Sequence, residues 1–335
     1  MMISVGVVGA TGLVGTTMIN VLQERSFPVD RFHAFASGES REKTVRFNNQ
    51  NYPVEIITPE TLCKGIILFG ATSAEVAKKW IPQCIESGAA IIDNSSAFRM
   101  NPEVLLAVPE VNGHLITGAE NLIANPNCST IQLVVALNPL NTMRNIRWVS
   151  VATYQAVSGA GSPFLDELSR QQNGMGIKPG TAHLHENIIT VIGPPDAYGY
   201  CDEELKLMHE TCKIMNLDLP VFASTARVPV RTGHTEAVVV KFESPLLAEE
   251  AASVLMNTPG ITVSQSGCSP VDVENTDNVI VDRIRNYPDD STILQFWVLA
   301  DNLRKGAALN AVQIAEVFLK QRGRVPNARP PNAAS

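Results

Sequence analysis

Short apolar runs alternate with glycine-bearing turns and amphipathic stretches through the first third of the chain. Ile3 to Val8 is almost wholly apolar and leads into Gly9-Ala10-Thr11-Gly12-Leu13-Val14-Gly15, after which Met18, Val21 and Leu22 recur at helical spacing. Runs of that length are strands buried on both faces, and strands alternating with helices build a parallel sheet. A second strand is predicted over Arg31 to Ala36. Gly65-Ile66-Ile67-Leu68-Phe69 then leads into Gly70-Ala71-Thr72-Ser73, Ala89-Ala90-Ile91-Ile92-Asp93 into Asn94-Ser95-Ser96-Ala97-Phe98-Arg99, and Leu122-Ile123-Ala124 into Asn125. This spacing predicts an α/β fold beginning with a Rossmann-like, doubly wound domain.

From about Ile146 the pattern changes. Trp148–Val157, Val221–Val230, Thr235–Glu243, Asn278–Ile284 and Thr292–Leu299 read as strands, several with period-two alternation, as half-exposed antiparallel strands show. Ala307 to Gln321 is amphipathic through Leu309, Val312, Ile314, Ala315 and Phe318 and is expected to pack back on the first domain. The predicted organisation is a dinucleotide-binding domain at residues 1–127 completed by a helix at 307–322, a mixed α/β, β-rich domain at 128–306, and a disordered tail at 325–335. A chain of 335 residues is too long for one core, which agrees with that division.

Charge and composition narrow the function. Lys and Arg number 26 against 33 Asp and Glu, a formal charge of −7, which argues against nucleic-acid or membrane-surface partners. No apolar run approaches the ~20 residues that span a bilayer. The N-terminus goes directly into a strand pattern without a signal-peptide layout. Cysteines at 63, 84, 128, 201, 212 and 268 include no Cys-x-x-Cys pair. That usage suits a reducing cytoplasm and argues against a disulfide framework or a structural zinc site.

Strand, glycine turn and helix in that order are the setting of a phosphate loop, so Gly9, Thr11, Gly12, Leu13, Val14 and Gly15 are candidate cofactor contacts. The glycines let the backbone approach a pyrophosphate, to which the helix N-terminus offers N–H groups. An NAD enzyme usually carries an acid at the end of the second strand. Here the chain reads Ala36-Ser37-Gly38, then Arg41 and Lys43 with Glu39 and Glu42 among them. Small, hydroxyl and basic groups suit a 2′-phosphate, so Ser37 and Arg41 point to NADP.

The run Ala124-Asn125-Pro126-Asn127-Cys128-Ser129-Thr130-Ile131-Gln132 carries the sharpest signal. Asn-Pro-Asn marks a turn, Asn127 suits an N-cap, and Ile131, Leu133, Val134 and Leu137 continue as a helix. Cys128 in that first turn has the helix dipole and unpaired N–H groups to favour a thiolate nucleophile. By itself the run equally fits a small buried side chain. Thr72-Ser73, Ser95-Ser96-Arg99 and Cys128 nevertheless converge at the carboxyl ends of the predicted strands, where ligands collect. A nucleophilic cysteine beside a nicotinamide suggests an acyl group held as a thioester while hydride moves.

Six motifs, in order and over nearly the whole chain, resemble aspartate-β-semialdehyde dehydrogenase. They are Ser95-Ser96-Ala97-Phe98-Arg99-Met100, Val108-Pro109-Glu110-Val111-Asn112, Asn125-Pro126-Asn127-Cys128, Thr153 to Gly161, Arg227 to His234, and Ala300 to Ala307. The resemblance implies NADPH-dependent reduction of L-aspartyl-4-phosphate to aspartate semialdehyde and phosphate. That reaction lies on the branch to lysine (through diaminopimelate), methionine and threonine. The resemblance makes Cys128 the acyl-enzyme nucleophile, His234 the general acid/base and Gln155 the group that orients the intermediate. Arg227 is then the partner of the substrate carboxylate, Glu203 that of its ammonium, and Arg99 and Lys206 hold phosphate. Asn310, Ser158 and Gly159 lie at the nicotinamide end of the cofactor, no metal is used, and the second domain forms a homodimer.

The adjacent pair Glu203-Glu204 leaves a one-residue slip open, and His183-x-His185-Glu186 resembles metal ligands only superficially. The stretches 172–201 and 267–281 depart from the family pattern. N-acetyl-γ-glutamyl-phosphate reductase shares the chemistry but implies a Pro-Gly-Cys-Tyr type run and no acid for a free ammonium. A catalytically silent scaffold paralogue is expected to lose the cysteine or the histidine, and both stand here.

Overall fold

The computed structural model describes residues 3–40, 42–58, 61–62 and 65–323, the side chain of Glu39 excepted. Arg41 and the 325–335 segment lie outside the described residues. By their internal contacts the residues fall into two units. Among the described residues, one comprises those up to Thr11, Gly15–Asn125 and those from Asn310; the other comprises Gly12–Val14 and Pro126–Leu309.

The first unit is built on an eight-stranded sheet ordered β3-β4-β2-β1-β5-β6-β8-β7. Its strands are β1 (Ser4–Val8), β2 (Arg31–Phe35), β3 (Thr44–Phe47), β4 (Gln50–Glu55), β5 (Ile67–Gly70), β6 (Ala90–Asp93), β7 (Leu105–Leu106) and β8 (Leu122–Ala124). Pairing is parallel except for the β3–β4 hairpin. Val5, Val7, Leu68, Phe69 and Ile91 are fully enclosed, which is why these strands read as unbroken apolar runs. Helices α1 (Leu13–Glu24), α2 (Ala74–Glu86) and the single turn α3 (Pro109–Asn112) connect them. Strand order reverses at β1 and β5, the switch point of a doubly wound sheet. The turn into α1 depends on two glycines. Gly9 has φ +90°, and a Cβ there would lie 2.3 Å from the Ala71 carbonyl oxygen. A Cβ on Gly15 would lie 2.2 Å from the Gly9 carbonyl.

The second unit begins with α4 (Cys128–Met143). Residues Ser129 to Leu137 are all buried, so this helix is enclosed on every side rather than amphipathic. Its sheet runs β10-β9-β11-β14-β13-β12. In chain order the elements are β9 (Ile146–Gln155), α5 (Ser162–Gln172), α6 (Asp202–Met215), β10 (Val221–Arg227), β11 (His234–Phe242), α7 (Ala248–Met256), β12 (Ile261–Ser264), α8 (Pro270–Val273), β13 (Val279–Tyr287) and β14 (Asp290–Ala300). The sheet is mixed, not antiparallel as the alternation suggested. β9 with β10 and β12 with β13 run parallel. Period-two burial reports one covered face and says nothing of strand direction.

A π-helical turn at Arg304–Ala308 leads into α9 (Leu309–Gln321), which belongs to the first unit from Asn310 onward. There Arg25, the residue after α1, grips Glu316 with two bonds of 2.7 Å, and Val312, Ile314, Ala315 and Leu319 are fully buried.

Candidate active site

In the second unit the nucleophile candidate sits at the head of the enclosed helix. Asn127 is the N-cap: its side-chain oxygen accepts from the Ser129 and Thr130 amides at 2.9 and 3.3 Å, satisfying donors that the first turn leaves open. Two carboxylates of α6 fix the cap in turn. Glu210 accepts the Asn127 backbone N–H at 2.7 Å, and Glu203 accepts its side-chain amide at 2.8 Å. Those glutamates are seven residues apart, two helical turns, so they share a face. The residue before Cys128 is thereby held through its main chain and both ends of its amide.

Charged side chains gather beside this cap. Glu203 is buried, and Lys206 lies 3.2 Å from it and 2.6 Å from Asp202. Burial pushes the Glu203 carboxyl up, but Lys206, the Asn127 amide and Arg227 more than offset that, leaving it ionised below the usual carboxylate range. Burial alone would lower the Lys206 pKa; Glu203 and Asp202 reverse the direction and raise it. Glu204 is committed elsewhere, since its two oxygens accept the backbone N–H groups of Cys201 and Thr225. Arg227 ends β10 in register with Gln155 and donates Nη1 to the Ala156 carbonyl at 2.8 Å. Burial depresses its pKa, opposed by the charges of Glu203 and Cys128.

Gln155 and His234 terminate neighbouring strands on the buried face. Gln155 donates to the Ser129 hydroxyl at 3.0 Å, while its Oε1 is buried without a protein partner. His234 is fully enclosed; its Nδ1 accepts the Ala156 backbone N–H at 3.0 Å, and its Nε2 has no protein partner. Burial, and then the Arg227 charge, hold its pKa well below the ordinary imidazole value. Gly159 explains the open edge. A Cβ there would meet Arg227 Nη1 at 2.9 Å and the Cε1 and Nε2 of His234 at 3.2 Å. The Ser158 hydroxyl is occupied by Asn302, whose Oδ1 also accepts the Gly233 amide at 2.9 Å. Asn302 thus joins the turn carrying Ser158 and Gly159 to the residue preceding His234.

The segment 172–201, which the family pattern leaves without account, is stitched to this region by main-chain bonds. Ile189 exchanges backbone hydrogen bonds with Arg227 at 2.8 and 3.0 Å, and the Glu203 amide donates to the Ile192 carbonyl at 3.2 Å. In the other divergent stretch, the Asn275 amide donates to the Asp301 carboxylate at 2.8 Å.

The carboxyl edge of the first unit's sheet is organised differently. Asn310 donates its amide to the Ala107 carbonyl at 3.0 Å and to Asn125 Oδ1 at 2.7 Å. Asn125 donates to Asn94 Oδ1 at 2.8 Å, and Asn94 to the Gly70 carbonyl at 2.7 Å. Backbone carbonyls at both ends fix the direction of all three amides, since a flip of any one would set oxygen against oxygen. Arg99 is seated on the same edge, with Nε on the Asn125 carbonyl at 2.9 Å and Nη2 on the Asn94 carbonyl at 2.7 Å. Thr11 and Ser40 place their hydroxyls 3.3 Å apart, with Ser37 exposed nearby in sequence. Thr72 accepts the Trp80 indole N–H, and Ser73 caps α2.

The structure therefore gathers Cys128, Gln155, Glu203, Lys206, Arg227, His234, Ser158 and Gly159 within the second unit. It holds Arg99, Asn310, Gly9, Thr11, Gly15, Ser37, Thr72 and Ser73 in the first. Gly12, Leu13 and Val14 group with the second unit by contacts. Glu210, the Ala156 peptide and the asparagine ladder escaped the sequence reading. Glu210 had a usable signal in its seven-residue offset from Glu203; the Ala156 amide, being main chain, had none. Among the described residues no group of three or more His, Cys, Asp or Glu side chains is close enough to hold a metal ion.

A doubly wound sheet of the dinucleotide-binding type, and a cysteine at a capped helix start beside a buried arginine and histidine, are the features of a dehydrogenase. A family model described as the semialdehyde dehydrogenase NAD binding domain matches residues 4–119, and one described as the semialdehyde dehydrogenase dimerisation domain matches residues 137–305. The aspartate-semialdehyde dehydrogenase of Aquifex aeolicus (strain VF5) is 41% identical over 333 residues, covering 95% of this chain and 98% of that protein. The crystal structure of aspartate semialdehyde dehydrogenase II from Vibrio cholerae complexed with ASA superposes with a TM-score of 0.90 at 39% identity, over 96% of this chain and 99% of that one. The aspartate semialdehyde dehydrogenase with NADP from Candida albicans gives a TM-score of 0.77 at 25% identity, over 97% and 100%. The chain belongs to the aspartate-semialdehyde dehydrogenase family, and is an oxidoreductase acting on an aldehyde in amino-acid biosynthesis.

Proposed function

We propose that the protein reduces L-aspartyl-4-phosphate to L-aspartate 4-semialdehyde and phosphate with NADP as its cofactor, through a thioester on Cys128. The observation that carries this reading is the double carboxylate anchoring of Asn127, which presents Cys128 at a helix start beside Arg227 and Glu203. The Cys128 sulfur attacks the acyl carbon, and the bond to the phosphate oxygen breaks. Arg227 suits the substrate carboxylate, because a guanidinium binds one with paired donors. Glu203, held ionised, suits the ammonium. Lys206 and Arg99 suit the phosphate, and Gln155, with Oε1 open, orients the acyl group.

The cofactor is expected on the Gly9–Gly15 turn, with Thr72, Ser73, Asn310, Ser158 and Gly159 as further contacts. β2 ends at Phe35 and is followed by Ala36-Ser37, without the acid that grips a ribose 2′-hydroxyl, and the Thr11, Ser37 and Ser40 hydroxyls are compatible with a 2′-phosphate. Bound NADPH supplies the hydride that reduces the acyl group. The carbon–sulfur bond then breaks, releasing the aldehyde and restoring Cys128.

The same reading places the protein in the cytoplasm, on the branch to lysine, methionine and threonine, as a homodimer formed through the second unit. A monomeric mass in light scattering rejects the dimer. The test of the reaction is phosphate-dependent reduction of NADP by the purified protein with L-aspartate semialdehyde, beside N-acetyl-glutamate semialdehyde. Turnover only with the first, lost on Cys128→Ala while the fold persists, is the expected result. Turnover only with the acetylated aldehyde moves the protein to the sister reductase activity.

A further inference from the structure

Residues 189–194 lie in the stretch for which the family pattern gives no account, and they tie together two groups of the proposed substrate site. β10 is the edge strand of its sheet, and an edge strand presents open N–H and C=O groups along one side. Its last residue, Arg227, is covered there. The Arg227 amide donates to the Ile189 carbonyl at 2.8 Å, and the Ile189 amide donates to the Arg227 carbonyl at 3.0 Å. On its other side Arg227 pairs with Gln155. A helix start likewise leaves its first amides unbonded within the helix. In α6 the amides of Asp202 and Glu203 donate to the carbonyls of Pro194 and Ile192, each at 3.2 Å. All four bonds run from main chain to main chain. The Ile189 side chain packs on Val157, Leu168 and Leu184, which seats the run, while Ile188 and Val191 are exposed. Gly193 has φ +86°, and a Cβ there would lie 2.7 Å from the Asp202 Cβ. Glycine is what lets the chain lie this close to the start of α6.

We infer that residues 189–194 form a specificity-determining brace. They hold the main chains of Arg227 and Glu203 at a set separation, so that guanidinium and carboxylate together admit an α-amino acid head, whose ammonium and carboxylate share one carbon. The inference rests on the substrate reading given above. Arg227 and Glu203 are near enough for each charge to shift the other's titration. Both side chains are buried, where a charge that misses its partner is costly, so the spacing of the pair decides which heads fit. The brace acts only through these two residues; it positions and does no chemistry itself.

The full enzyme is assayed with L-aspartate semialdehyde, and with succinate semialdehyde as a competing aldehyde that has the same carbon chain and carboxylate but no ammonium. Wild type should bind the first more tightly, because a site built for a polar group rejects the analogue lacking it. Gly193→Ala pushes the run off the start of α6. It should raise KM for L-aspartate semialdehyde about 10-fold, with the inhibition constant of succinate semialdehyde and KM for NADP within about two-fold of wild type. Ile189→Pro removes the amide that donates to the Arg227 carbonyl. Both aldehydes should then bind about 10-fold more weakly, with KM for NADP again unmoved. Ile189→Ala keeps the main-chain bonds and should retain the wild-type preference. Equal losses for both aldehydes in Gly193→Ala, or a fall in kcat alone in either variant, overturn the inference, since general weakening of the fold cannot choose between the two heads. Hydrogen exchange on the wild-type enzyme without substrate needs no variant. Slow exchange of the Ile189, Glu203 and Arg227 amides is expected, and exchange at the rate of an open loop overturns the brace. Failure of the substrate reading shows separately, as a wild-type preference for the N-acetylated aldehyde.

Discussion

The two units treat buried polar groups in opposite ways. In the first, Asn310, Asn125 and Asn94 join hands between two backbone carbonyls, and Arg99 rests on two more. Among the described residues of that unit, the one buried side-chain nitrogen or oxygen without a hydrogen bond is His33 Nδ1, which faces Glu55 at 3.4 Å. In the second, Gln155 Oε1 and His234 Nε2 are buried without a protein partner beside Arg227, whose charge is opposed by Glu203 and Cys128. Buried polar atoms normally have partners, and an open one is costly unless something arrives to complete it. The first arrangement fixes the orientation of its binding groups in advance. The second keeps some hydrogen bonds in reserve for chemistry.

The sharpest way to break that contrast is at the cap. Asn127→Ala should lower kcat/KM by about 10²-fold, the scale of a roughly 1 Å misplacement of a reacting group. It should also lower stability by about 1 kcal/mol through the lost N-cap; unchanged kinetics with the same loss of stability would reduce Asn127 to structure. Gly159→Ala is next. Crowding Arg227 and His234 should cost roughly 10-fold or more in kcat/KM, with a thermal midpoint near wild type because the residue is exposed.

Asn125→Ala tests the opposite side. It leaves Asn94 Oδ1 and the Asn310 amide each short of a bond, so chemical melts should show a loss of about 1–3 kcal/mol, with any kinetic effect confined to the KM for NADP, since Asn310 is a proposed cofactor contact. A large fall in kcat at unchanged stability would erase the distinction between the units. Glu236→Gln should alter turnover least. Burial pushes this carboxyl well above the ordinary range, with the Gln132 side chain opposing, so folding must protonate a group that ionises near pH ~4.3 in the unfolded chain. Wild-type stability is therefore reduced increasingly as pH rises above that value. The variant should gain on the order of 1 kcal/mol or more in urea melts at pH 8 and nothing at pH 4. An equal gain at both would show that the carboxyl is ionised in the fold.

The alternation of apolar runs and glycine turns made β1, β2, β5, β6 and β8 legible, because strands buried on both faces read as unbroken apolar runs, whereas the largely exposed β3–β4 hairpin and the two-residue β7 carry no such run and were missed. β2 differs from its predicted extent only at Ala36. In the second unit every strand but the four-residue β12 was legible, while the directions were not, since a half-buried strand looks the same whichever way its neighbour runs. Asn127 could be read as a cap, because a cap is a local arrangement of adjacent residues. Glu210, Ala156 and the bonds from Ile189 and Ile192 join groups separated in the chain, and at least one member of each pair is main chain, which every residue carries alike.

The asparagine ladder also sets a clock. Its rungs Asn125 and Asn310 stand 185 positions apart, and a ribosome adding about 5–20 residues per second needs on the order of 10–40 s to cover that interval. The first-made half of the protein therefore leaves the ribosome with a ladder that lacks its Asn310 rung until the last helix is synthesised. A chain released before residue 310 carries every strand of the first unit's sheet and none of its final seal.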